Sequence, residues 1–165
     1  MEERTMLIMH QAEELMKTHQ QDKAEYILLH SLDIEKTYEQ YMKLGKLYAL
    51  YMNRIEEAAA VFQKALQYNQ ESTEANSLTG EMLFRIGRKQ EALSYLTRAI
   101  QGPADPLQYR AYYFLAILYQ NWNRPERSVR FLNLCLKCKS DYVPAVKMLN
   151  HLKNKYLPDT AVSSF

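Results

Sequence analysis

Cys135 and Cys138 stand three residues apart, a spacing that could relay a disulfide or offer two thiolates to zinc. The rest of the chain supplies neither chemistry. They are its 2 cysteines, too few for a disulfide scaffold, and His10, His19, His30 and His151 hold no ligand spacing to them. Cys135 is therefore expected to act as a small buried hydrophobe. The acid pairs Glu13-Glu14 and Glu56-Glu57 are adjacent in sequence, so on a helix they point to different faces and cannot serve one substrate as acid and base. No nucleophile elbow, phosphate loop, zinc-protease motif or dinucleotide fingerprint occurs, and 4 glycines leave little material for a loop that cradles phosphate. Catalysis, a cofactor and a bound metal are not expected.

Charge and aromatics offer binding chemistry instead. The net charge of +2 demands neither nucleic acid nor lipid. Residues 124 to 155, however, carry Arg124, Arg127, Arg130, Lys137, Lys139, Lys147, Lys153 and Lys155 against Glu126 and Asp141, a local +6. Such an end could meet RNA or an acidic partner, although a solvated outer face is the simpler reading. The chain has 13 tyrosines, and a base-stacking platform built from them would have to lie in a basic groove. No apolar run reaches the ~20 residues of a membrane span, and Met1-Glu2-Glu3-Arg4 lacks the start of a secretory leader, so a cytoplasmic chain is expected.

The elements that must position these groups repeat. Small residues recur at Ala12, Gly45, Gly80 and Ala116, in steps of 33, 35 and 36. A second small series runs Ala24, Ala58, Ala92 and Ser128, a large one Leu28, Phe62, Leu96 and Leu132, and a fourth Ser31, Ala65, Ala99 and Cys135. A beat near 34 with small and large residues at fixed offsets marks an all-α helical solenoid, in which each helix hairpin buries its face against its neighbours. One domain is expected over residues 1–157, with units at about 5–37, 38–72, 73–106 and 109–142, a capping helix over 142–156 and a mobile tail over 158–165.

The periodicity predicts helices over 3–19, 22–33, 38–52, 54–69, 73–86, 88–101, 106–121, 124–138 and 142–156. Asn53 with Glu56, Asn123 with Glu126 and Gly87 with Gln90 read as caps of second helices, and His19 with Asp22 stands in their place in the first unit. Thr37 with Gln40, and Asp105 with Pro106 and Gln108, open first helices. Gln101-Gly102-Pro103-Ala104-Asp105 is the clearest linker. In the last helix, Val143, Val146, Leu149, Leu152 and Tyr156 form an apolar stripe suited to capping the solenoid, or to a dimer interface. Pro158 stops it, and the ending Ser163-Ser164-Phe165 only superficially resembles a carboxylate-terminal ligand.

Tyr41, Leu44, Gly45, Tyr48, Ala58, Phe62 and Ala65 resemble the tetratricopeptide repeat, as do Gly80, Gly87, Ala92, Leu96 and Ala99. Tyr112, Leu115, Ala116, Tyr119, Ser128, Leu132 and Cys135 resemble it more loosely, and residues 5 to 37 only in their small positions. Gln70 and Ser140 replace the usual Pro, and the unit around Gly45 has one extra residue before Ala58. The resemblance implies a concave face built from first helices that holds a partner's segment. By the register of Gly45, Gly80 and Ala116 it would present Glu39, Met42, Lys46 and Leu50, with Ala49, then Ser77, Glu81, Phe84 and Arg85, with Glu74, then Arg110, Tyr113, Ile117 and Asn121, with Gln120. The first unit would add Met6, Met9, Glu13, Met16 and Lys17.

These positions lack the Lys and Asn set with which the family's chaperone-binding branch grips a terminal carboxylate. They suit a partly apolar protein or peptide segment, with Met42, Phe84 and Tyr113 as its anchors. The chain is thus expected to be a protein-binding adaptor or chaperone. The alternatives are RNA or acidic-partner binding through the basic end, and a structural subunit that forms a homo-oligomer through its last helix.

Overall fold

Left-handed residues close the turns inside the helix hairpins, and the short polar caps Thr37 and Ser72 open two of the first helices. A computed structural model describes residues 2–102 and 104–156, with side chains from Thr5 onward. Among the described residues the α-helices are α1 (Glu2–Lys17), α2 (Gln21–Ile34), α3 (Tyr38–Leu50), α4 (Ile55–Tyr68), α5 (Thr73–Arg85), α6 (Lys89–Gln101), α7 (Gln108–Asn121), α8 (Pro125–Cys138) and α9 (Val143–Tyr156). Among the described residues there is no strand. Met1, Pro103 of the linker, and the tail with Pro158 and Ser163-Ser164-Phe165 lie outside the described residues.

Each first helix packs on the second helix that follows it, α1 on α2, α3 on α4, α5 on α6 and α7 on α8, and each second helix packs on the next first helix. The spaced series form the contacts. Ala12, Ala24, Ala58, Ala92, Ala116 and Ser128 have no exposed surface, nor have Leu28, Phe62, Leu96 and Leu132. Glycine is needed where the axes come closest. A Cβ on Gly45 would sit 2.5 Å from the Phe62 ring, and one on Gly80 would sit 2.5 Å from Leu96 and 3.2 Å from the Ala92 carbonyl oxygen.

Asn53, Gly87 and Asn123 do not cap second helices. They hold left-handed backbone, with φ of 52°, 84° and 54°, and His19 joins them at 58°. A residue in that region ends the first helix, and Asn or Gly occupies it at least cost. The amides of Gln20, Arg88 and Arg124 then reach back to the carbonyls of Leu15, Leu83 and Tyr119 at 2.9, 2.9 and 2.8 Å. Arg54 reaches Tyr48 at 2.9 Å, one residue further, which absorbs the extra residue of that unit. The N-caps themselves are Gln20, Arg54, Arg88 and Arg124, without side-chain cap bonds. Arg54 and Arg88 instead pair with Glu57 and Glu91, acids in the first turn where the helix dipole favours them.

The first helices α3 and α5 use side-chain caps. The Gln40 amide donates to Thr37 Oγ1 at 3.3 Å while the Thr37 amide donates to Gln40 Oε1 at 2.9 Å, a full capping box. Ser72 accepts from the Ala75 amide at 3.1 Å, a cap not read from the sequence. Asp105 accepts from Leu107 at 2.8 Å, so Pro106 and Leu107 form a turn and α7 begins two residues later than expected.

The expected stripe of α9 is corrected. Ala145, Leu149 and Leu152 are buried with Ala116, Leu132 and Cys135, whereas Val143 and Tyr156 are exposed. The helix repeats Ala111, Leu115 and Leu118 at an offset of 34, keeping the residues that pack backward onto α8. At the positions of Ala116 and Tyr119, which in α7 meet a second helix, α9 carries exposed Asn150 and Lys153.

Candidate partner-binding groove

The first helices α1, α3, α5 and α7 line two adjoining depressions. One, of about 770 Å³, lies between α1 and α3 and is walled by Met6, Met9, Met16, Met42 and Tyr38, with Glu39 at its edge. The other, of about 160 Å³, has Leu50, Ser77, Leu107, Tyr109 and Arg110 around it. Both share Lys46 and Glu74, whose 2.8 Å ion pair ties α3 to α5.

That pair is one rung of a ladder. Glu13 pairs with Lys43 across α1 and α3, and Glu81 with Arg110 across α5 and α7. The hydrogen bond from Lys43 holds the Glu13 carboxyl below the usual carboxylate range. Each rung pairs opposite charges on the wall.

Of the residues expected in the groove, Glu39, Met42 and Lys46 line the first depression and Lys46, Leu50, Ser77, Glu81 and Arg110 the second. They differ in depth. Leu50 is 69% exposed and Met6 72%, while Met42 at 4% and Ser77 at 1% are floor, and Met16 belongs to the core. Ser77 Oγ has no hydrogen-bond partner among the described residues.

Phe84, Arg85, Tyr113, Ile117 and Asn121 line neither depression. Phe84 packs on the core with its ring 5.7 Å from Phe114, so it is not a free anchor. Tyr113 stands edge-on to Phe114 at 5.5 Å and Tyr142 at 5.2 Å, and burial pushes its phenol pKa up. Arg85 reaches Asn53 Oδ1 at 3.4 Å, Ile117 is half-buried and Asn121 is exposed. Sequence reasoning missed Lys43, Tyr109 and Leu107. Lys43 follows Met42 and faces back to Glu13, a signal that could have been used, but Leu107 lies in a turn outside the helical register.

Cys135 is buried in the α8–α9 cluster, and burial, with Cys138 beside it, pushes its thiol up to about 12. Tyr48 and Tyr142 are also raised to about 12, mainly by burial. In the unfolded chain these groups ionise first as pH rises. Their contribution to stability is therefore whole below about 8.5, the ordinary thiol value, and is lost as pH climbs toward 12. Native protein at pH 8 should label slowly at Cys138 and not at Cys135, with both reacting after unfolding; prompt labelling of both would overturn this placement. Among the described residues no three His, Cys, Asp or Glu side chains gather as a metal site, and no helix is long and apolar enough to cross a membrane.

Two family models, both described as tetratricopeptide repeat, match residues 47–106 and 109–142, together more than half of the chain. Solved structures share the fold. PilF of Pseudomonas aeruginosa superposes with a TM-score of 0.83 at 17% identity, covering 95% of this chain and 72% of its own. A MamA protein gives 0.80 at 24% identity, covering 96% and 86%. YrrB, described as a TPR protein with an unusual peptide-binding site, gives 0.71 at 19%, covering 84% and 71%. A search of curated protein sequences returns no match.

Proposed function

Because the chain belongs to the tetratricopeptide repeat family, we propose that it is an adaptor or chaperone that holds a partly apolar segment of a partner protein along its concave face. The observation that carries this reading is the pair of adjoining depressions on the first helices, with exposed Met6 and Leu50 at their rims. Methionine side chains adapt their shape to an apolar ligand, and the first depression is rich in them. The ladder of ion pairs supports the site indirectly, by fixing the spacing of the helices that form it. YrrB, similar in fold, is described by its peptide-binding site, which agrees with this use. A cytoplasmic setting belongs to the reading and suits the two free thiols.

Met6→Asp with Leu50→Asp tests it. Both side chains are exposed, so helicity should persist. A partner captured from the native cell and titrated against the purified chain should bind the double variant weaker by ~2 kcal/mol or more, the scale of an interface hot spot. Unchanged affinity would remove the groove as the binding site.

A further inference from the structure

Lys147, His151 and Lys155 of α9 are exposed and stand 34 residues after Tyr113, Ile117 and Asn121, on the face of α7 that continues from the groove residue Arg110. Packing fixes that offset, since Ala145, Leu149 and Leu152 are buried as Ala111, Leu115 and Leu118 are. Tyr142, just before α9, lays its ring 5.0 Å from Tyr109 and 5.2 Å from Tyr113, joining α9 to the wall of the second depression. Upstream, Glu13, Lys46 and Glu81 each follow a small crossing residue by one position and each pairs with the next first helix. At that position α7 carries Ile117, so the ladder stops. Among the described residues no acid pairs with Lys147 or Lys155.

Resting on the groove reading above, we infer that the bound segment is directional: its apolar side chains fill the methionine depression at α1 and α3, and acidic side chains lie over Lys147 and Lys155 of α9. Charge complementarity selects the acidic end, because these are cations on the continuing face that have no acid partner among the described residues, Lys155 Nζ lying only over the Tyr156 ring at 5.0 Å. Four steps between first helices at about 8 to 10 Å each span roughly 30 to 40 Å, or about ten to twelve residues of extended chain.

The test is selection from a random peptide library about 16 residues long, enough for that span, displayed through its C-terminus so that no free carboxylate is offered. The full chain should enrich peptides with an apolar cluster and an acidic cluster about ten residues apart. Lys147→Glu with Lys155→Glu, helicity unchanged, should bind those peptides at least about tenfold more weakly and select none with the acidic cluster. Apolar peptides of ordinary acid content, bound equally by both proteins, would overturn the direction while leaving the groove in place. Enrichment of nothing, or of peptides indifferent to Met6→Asp, would overturn both.

Discussion

Phe62→Ala should lower the unfolding free energy by about 3 to 5 kcal/mol, and in that background Gly45→Ala should change from harmful to helpful. Phe62 is fully buried, and its ring atoms lie 2.5, 2.6 and 2.9 Å from where a Gly45 Cβ would stand. In the intact protein that methyl gains about 1 kcal/mol of helix propensity but meets an overpacking cost of about 1 to 3 kcal/mol. The ring is fully buried at the α3–α4 crossing, where it also borders the smaller depression. Removing it leaves a cavity that the methyl partly fills, so only the propensity gain should survive. Urea melts of the four proteins in the cycle would show the coupling directly. An equal effect of Gly45→Ala in both backgrounds would mean that the helices do not approach closely at this point.

That contact was legible in the sequence because each of its positions does a single job. A residue that must be small at a crossing, and a large one that must fill the space beside it, recur at the same offsets wherever hairpins stack. Asn53 and Asn123 were legible only in part, because the same amide side chain suits both an N-cap and a left-handed turn, and three residues of spacing to an acid do not separate the two. The groove face follows from helical register, but depth along that face does not. Met42 and Ser77 became floor, and Phe84 and Tyr113 were taken up by Phe114 and Tyr142 from neighbouring parts of the chain. Those partners lie outside the repeat positions, so nothing in the motif announces them.

The corrected stripe of α9 supports the second large effect. Leu149→Asp with Leu152→Asp should undock the helix, because each leucine contributes about 1.5 to 3 kcal/mol through burial and a carboxylate cannot replace it against Leu132 and Ala116. Val143→Asp with Tyr156→Asp, the outer positions of the stripe expected from sequence, should stay within about 0.5 kcal/mol of the original, as exposed substitutions do. In a solenoid the damage is local, since each unit rests on its neighbours rather than on one shared centre. Cys135 should therefore become reactive at pH 8 in the Leu149/Leu152 variant while the Phe62 region still melts as before. If the exposed pair proves harmful and the buried pair neutral, α9 packs through another face, and the capping role proposed for it fails together with the register that places Lys147 and Lys155 on the groove.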